Sequence, residues 1–265
     1  MTLALASKSD QAEFNSLSTR EAAPRLKLET IGTDCSIGDG RGRAERLGYT
    51  ADELDAIPEA AVDSFTGVGY CFDAAALRHG DHVVDLGCGT GTDSFVAATK
   101  VGSEGRVVGI DIKEELLQKA NELRTAREFF HVEFFKADAD DAGLPSESFD
   151  AIISNGLVNL AADTKRVFRE AARLLKPGGR LALSDIVTDF RPPEGVNLNA
   201  TLWTAGIGGA LHIDEYVDAI EAAGFQIVEI YPNPQSQSAT GTDAHSPHGH
   251  GTRSITVEAV KLPVS

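Results

Sequence analysis

Three glycines at alternate positions follow an apolar run in the stretch "VVDLGCGTGTD", Val83 to Asp93. Gly87, Gly89 and Gly91 let the chain turn sharply and bring main-chain N–H groups close to a ligand at the start of the next helix. Asp85 ends the apolar run, where an acid is costly unless it faces a ligand crevice. Asp111 follows twenty residues after Gly91 at the end of a second such run, and a carboxylate there can accept both hydroxyls of a ribose. Asp138 and Ala139 end a third run, where a carboxylate can take an exocyclic amine and a main-chain N–H can reach a ring nitrogen. Asn155 ends a fourth. Singly, each reads as a turn or capping residue. Together, polar groups at successive strand ends describe one rim of a sheet shaped for a nucleoside. The rival is a dinucleotide site in an NAD-dependent dehydrogenase, but Thr92 stands where the G-x-G-x-x-G fingerprint needs its third glycine.

The elements that must position these residues alternate. Apolar, β-rich runs occur at 82–87, 106–111, 132–138, 151–156, 180–187, 226–230 and 254–262. Helical stretches lie between them, among them "EELLQKANELRTA" and "DTKRVFREAARLLK", the latter closed by "PGG" as a stop signal. Strand, helix, strand repeated in this way predicts an α/β fold, a parallel, doubly wound sheet covered on both faces. No helical pattern separates the last two runs, which therefore pair antiparallel. Residues 41–265 form the expected domain, with a helical start in which Thr50 and Glu53 have capping-box spacing. Residues 1–40 show no sustained period and read as a flexible extension. A hairpin at 232–252, rich in Ser, Gly, Pro and His, reads as mobile. His245, His248 and His250 at its tip lack the supporting hydrogen bonds that a specific metal site needs, so no metal is expected.

Composition narrows the partners. Of 265 residues, 42% are apolar and 24% charged, near globular averages, and the formal net charge is −16. That charge repels nucleic acid and anionic membrane surfaces. No apolar run approaches the roughly 20 residues of a spanning helix. The first residues lack the basic region of a signal peptide, so a cytoplasmic protein is expected. Cys35, Cys71 and Cys88 are too few for a disulfide framework and read as reduced thiols.

On these motifs the chain resembles the class I S-adenosylmethionine-dependent methyltransferases: "VVDLGCGTGTD", "VVGIDI", "KADADDAGLP", "FDAIISN" and "LLKPGGRL" match that superfamily in order and spacing. The resemblance implies a seven-stranded Rossmann-like sheet with an antiparallel last strand and S-adenosylmethionine as cofactor. It places the methionine part on the glycine loop, the ribose on Asp111, and the adenine against Ile112, Asp138 and Ala139. More narrowly, "RAERLGYTADELDAIPEAAVDSFTGVG", "SNGLVNL", "NATLW" and "IGGALHIDEYVDAIEAAGF" are similar to the arsenite methyltransferases. That family binds trivalent arsenic, a soft ion, through several thiolates. Here Gly156 and Gly206 stand where its arsenite binders carry cysteine. Cys88 reads as packing within the glycine loop, and only Cys35 and Cys71 remain as an arsenic pair.

Methyl transfer from a sulfonium is an in-line displacement that mainly needs alignment and exclusion of water. The donor is therefore more legible than the acceptor. A small-molecule acceptor, organic rather than arsenite, is expected beneath a lid over 190–213. Tyr70, Asn159, Trp203, His212 and Tyr216 are the candidate acceptor-lining residues, and His212, Asn155 and Asp185 the candidate catalytic ones, His212 being the candidate base. His212 reads equally as a cap of the helix after it, and Trp203 as core. The alternatives kept open are an arsenite methyltransferase using Cys35 and Cys71, and a protein that binds the cofactor without transferring its methyl group. A homodimer is one assembly such a chain could form.

Overall fold

The computed structural model describes residues 39–189, 210–234 and 252–263. Trp203, Cys35, Gly206, the three hairpin histidines, and nearly all of the 1–40 extension and of the lid segment lie outside the described residues.

Among the described residues, four short helices come first: α1 (Gly40–Leu47), α2 (Ala51–Asp55), α3 (Glu59–Asp63) and α4 (Phe72–Ala75). Thr50 and Glu53 close a capping box at the start of α2, as their spacing predicts. The alternating part follows as β1 (His82–Leu86), α5 (Thr92–Val101), β2 (Arg106–Asp111), α6 (Glu114–Ala126), β3 (Val132–Lys136) and β4 (Phe149–Asn155). It continues through α7 (Thr164–Leu174), β5 (Leu175–Thr188), α8 (Ile213–Ala222), β6 (Phe225–Pro232) and β7 (Thr252–Lys261). The seven strands form one sheet in the order β3-β2-β1-β4-β5-β7-β6. β1 to β5 are parallel, and β7 runs antiparallel between β5 and β6. The α/β class, the seven strands and the antiparallel last strand agree with the sequence.

Strand residues alternate between two cores, as a period of two requires. Val83, Val107, Ala151, Ile153 and Ala182 pack on one face with the residues of α1 to α5. Val84, Val108, Ile152, Leu181 and Leu183 pack on the other with α7 and α8. α7 turns Val167, Phe168, Ala171 and Leu174 inward at helical spacing. It ends at Leu174, two residues before Lys176, and β5 starts at once, because a residue before proline, here Lys176 before Pro177, is biased to extended backbone. The order reverses at β1, whose neighbours are β2 and β4, so the crevice that accepts ligands in such sheets lies beyond the carboxyl ends of these strands.

Candidate active site

The glycine loop leaves β1 and enters α5. Gly87, Gly89 and Gly91 have φ of 76°, 55° and 92°, the left-handed region that glycine occupies without strain. Two of the three are also confined by packing. A Cβ at Gly91 would stand 2.7 Å from the Phe134 ring, and one at Gly87 would stand 3.0 Å from Leu157. At Gly89 a Cβ would meet nothing within 4 Å. The absent side chain there leaves open space above bare backbone, which is what a ligand lying on the loop requires.

Asp111 ties this loop to the end of β2. Its Oδ2 accepts from Gly89 N at 3.0 Å and its Oδ1 from Lys113 N at 2.9 Å. Each oxygen keeps a further lone pair for a ligand hydroxyl. Ile112 beside it is 44% exposed, an apolar side chain open to a ring. Ala139 is buried, and Asp138 pairs in an isolated bridge with Asp141. An open glycine backbone, a carboxylate with spare acceptor capacity and a free apolar side chain in sequence along the rim fit an adenosyl group with an amino-acid tail.

Asn155 is occupied within the protein. Its Oδ1 accepts from Val68 N at 2.7 Å and Gly69 N at 3.2 Å, and its Nδ2 donates to Gly69 O at 2.9 Å and Asp93 Oδ2 at 3.0 Å. The side chain clamps the 67–69 strap across the end of β4. A Cβ on Gly67 would stand 2.5 Å from Asn155 Nδ2, so the strap lies directly on the amide. From the far side, Ser254 Oγ and Asn233 Nδ2 donate to Val68 O at 2.6 and 3.3 Å.

Beneath the strap lie two buried acids. Asp85 accepts from Ser94 Oγ at 2.6 Å. Asp93, in the first turn of α5, accepts from Tyr49 Oη at 2.5 Å as well as from Asn155. Burial pushes both carboxyls above the usual carboxylate range, and the charge of Asp93 adds to the rise at Asp85. Asp93 and Tyr49 were not singled out in the sequence. An acid in a helix's first turn reads as an ordinary partner of the helix dipole, and Tyr49 is 44 residues away from it.

A second set of predicted residues gathers elsewhere. Ser184 on β5 would be 2.6 Å from a Cβ on Gly69 in the strap, and Asp185, next along the strand, points to the opposite face of the sheet. There Asp185 accepts from Asn159 Nδ2 at 2.6 Å, Asn159 N at 3.2 Å, Ile186 N at 2.8 Å and Tyr216 Oη at 3.4 Å. Burial raises its carboxyl to about 7 against the pull of those donors. Among the described residues, buried Asn159 Oδ1 has no hydrogen-bond partner. Tyr216 is fully buried on α8 against Phe168, with ring centroids 5.4 Å apart. The structure therefore brings together Asp185, Asn159 and Tyr216, and sets them on the other side of the sheet from Asn155 and Asp85. Tyr216 is a core residue of α8.

Two further residues have structural partners. His212 is the N-cap of α8, its Nδ1 accepting from Asp214 N at 3.2 Å, which leaves Nε2 as its remaining nitrogen. Tyr70 Oη donates to Glu53 Oε1 at 2.7 Å, and Lys100 Nζ reaches the same oxygen at 2.5 Å, so this tyrosine joins α2 to α5. Cys71 and Cys88 are free and buried, and burial pushes both thiols above their ordinary range.

With this geometry the comparisons with known proteins agree. A family described as a methyltransferase domain matches residues 77–224, more than half of the chain. The chain belongs to the methyltransferase domain family. It is 36% identical to an arsenite methyltransferase of Halobacterium salinarum over 89% of this chain and 60% of that protein. The match to a 2-phytyl-1,4-naphtoquinone methyltransferase of Synechococcus elongatus is 31%, over 62% of this chain and 70% of that one. Among solved structures, an arsenic (III) S-adenosylmethionine methyltransferase from Chlamydomonas reinhardtii superposes with a TM-score of 0.65. Its identity is 28%, over 80% of this chain and 73% of that one. This chain thus spans less than two thirds of the length of the Halobacterium salinarum relative. Among the described residues, no helix is long and apolar enough to cross a membrane.

Proposed function

We propose that the protein transfers a methyl group from S-adenosylmethionine to a small organic acceptor. The observation that carries the donor half is the space over Gly89, framed by left-handed glycines and joined to the Asp111 carboxylate. In this reading Gly87, Gly89 and Gly91 hold the methionine part with Asp85 beneath them, Asp111 takes the ribose, and Ile112, Asp138 and Ala139 take the adenine. When bound, the cofactor supplies an electrophilic methyl carbon on a positively charged sulfur. The chain's own task is to hold the donor, exclude water and let an acceptor approach in line. Asn155 serves that task by fixing the strap, as a positioning residue. Asp185, Asn159 and Tyr216 hold the turn after β4 against α8. His212 Nε2 remains the candidate base for a hydroxyl acceptor.

An organic acceptor is favoured over arsenite by the state of the thiols. Trivalent arsenic needs thiolates, and Cys71 is fully buried in the core beneath the strap beside Asp93 and Asp85, where its thiol resists ionisation. Free, reduced thiols go with a cytoplasmic setting. The test is a screen with isotopically labelled cofactor against phenols, quinols, amines, thiols and arsenite, read for a gain of one methyl. Labelling of an organic acceptor supports the reading. Arsenite-dependent turnover lost in Cys71→Ser replaces it with the metalloid substrate, and tight cofactor binding with no transfer to any class points to a binding protein.

A further inference from the structure

Asp85 and Asp93 flank the glycine loop, one near the end of β1 and the other in the first turn of α5, and both are buried. The partners named for them are uncharged: the Ser94 hydroxyl on Asp85, the Tyr49 hydroxyl and the Asn155 amide on Asp93. Among the described residues, no Lys, Arg or His forms an ion pair with either. The titratable groups around them add no positive charge at close range. Asp111 on β2 bears on Asp85 with a like charge, and Cys71 from below the strap and Cys88 from the loop are held neutral. Lys100, further along α5, is spent on Glu53.

Two buried carboxylates with no cation paired to them resist full ionisation, and the pair holds a proton more tightly than free carboxyls do. What the site lacks is positive charge. The methionine end of S-adenosylmethionine carries two positive groups, a sulfonium and an ammonium, and the loop that would hold it lies between these acids.

We propose that Asp85 and Asp93 act together as the counter-charge for the cationic end of the cofactor, giving up their shared proton to solvent when the cation arrives. The inference rests on the reading of the glycine loop as the donor site. In the exchange one carboxyl O–H bond breaks, the proton passes to buffer, and the ligand is chemically unchanged. Binding then replaces a proton by a sulfonium within the same enclosed volume. Tyr49 and Asn155 keep Asp93 oriented while its charge state changes.

The test is calorimetric titration of the full-length protein with S-adenosylmethionine and with S-adenosylhomocysteine. It is run in two buffers of unequal ionisation enthalpy between pH 6 and 7, below the range in which the ligand's own α-amino group titrates. The expected result is release of up to about one proton per S-adenosylmethionine bound, with the dissociation constant falling up to about tenfold per pH unit. S-adenosylhomocysteine, which has no sulfonium charge, releases fewer protons. Asp85→Asn abolishes the release, and Asp93→Asn diminishes it. The wild-type comparison stands by itself should either variant fold poorly. Binding with equal enthalpy in both buffers and a dissociation constant independent of pH overturns the proposal while leaving the donor site in place. No binding of either ligand overturns the donor site itself, and this inference with it.

Discussion

The Tyr49 hydroxyl donates to the Asp93 carboxylate at 2.5 Å, joining the turn between α1 and α2 to the first turn of α5 across 44 residues of chain. The same tyrosine packs edge-on against Phe65 and Tyr70, at 5.1 and 4.9 Å between centroids, so its ring and its hydroxyl do separable work. Tyr49→Phe keeps the ring and removes the donor to a buried acid. It is expected to lower stability by about 1–3 kcal/mol in urea denaturation. A variant as stable as the wild type would mean that Asp93 does not depend on this bond.

Gly89 and Gly91 are expected to fail differently. Gly89→Ala adds a methyl group to open space at a φ of 55°, so its backbone strain is of order 1 kcal/mol while the cofactor loses the space it needs. Its melting temperature should change little and its affinity for S-adenosylhomocysteine should fall. Gly91→Ala drives a methyl group into the Phe134 ring and should lose stability first. The reverse pattern, Gly89→Ala unfolding and Gly91→Ala only weakening binding, would remove Gly89 from the cradle.

Asp111→Ala deletes both the expected ribose contact and the bond that holds Gly89 N. Loss of about 1–3 kcal/mol of S-adenosylhomocysteine affinity is expected by calorimetry, with a further loss where the loop relaxes. Unchanged affinity would contradict the ribose assignment.

Asp185 gives a pH signature of definite sign. Its carboxyl titrates near 3.8 in the unfolded chain and about 7 when folded, burial being the main cause. Between those values the folded state holds a proton that the unfolded state has lost. Its contribution to stability is therefore complete below about pH 4 and is lost as pH rises toward 7, by up to ~1.4 kcal/mol per pH unit. Asp85 and Asp93 act in the same direction, so the comparison must be with Asp185→Asn. Denaturation at pH 4, 5.5 and 7 should show a shallower decline in the variant, and equal slopes would contradict the raised value.

Much of the fold was legible because inner strands buried on both faces announce themselves as β-branched runs, and all seven expected strands, the partly exposed edges β3 and β6 included, are found. The early start of β5 was hidden because "KPGG" reads as a stop, although Lys176 before Pro177 is equally suited to extended backbone. The glycine loop and Asp111 were legible for a related reason: their spacing is local. What escaped was side-chain partnership over distance. Asn155 and Asp185 both sit near strand ends, yet one holds the strap and the other lies behind the sheet with Tyr216. Only the register of β4 against β5, which pairs Asn155 with Ser184 rather than with Asp185, reveals the difference.

The central claim is that the rim from the glycine loop to Asp111 holds an adenosyl sulfonium. Its most direct test is a crystal structure of the protein grown with S-adenosylhomocysteine. The ribose is expected on the Asp111 carboxylate, the adenine against Ile112 and the amino-acid tail over Gly89. Density for the nucleoside elsewhere, or a rim that takes up NADH in its place, would contradict it.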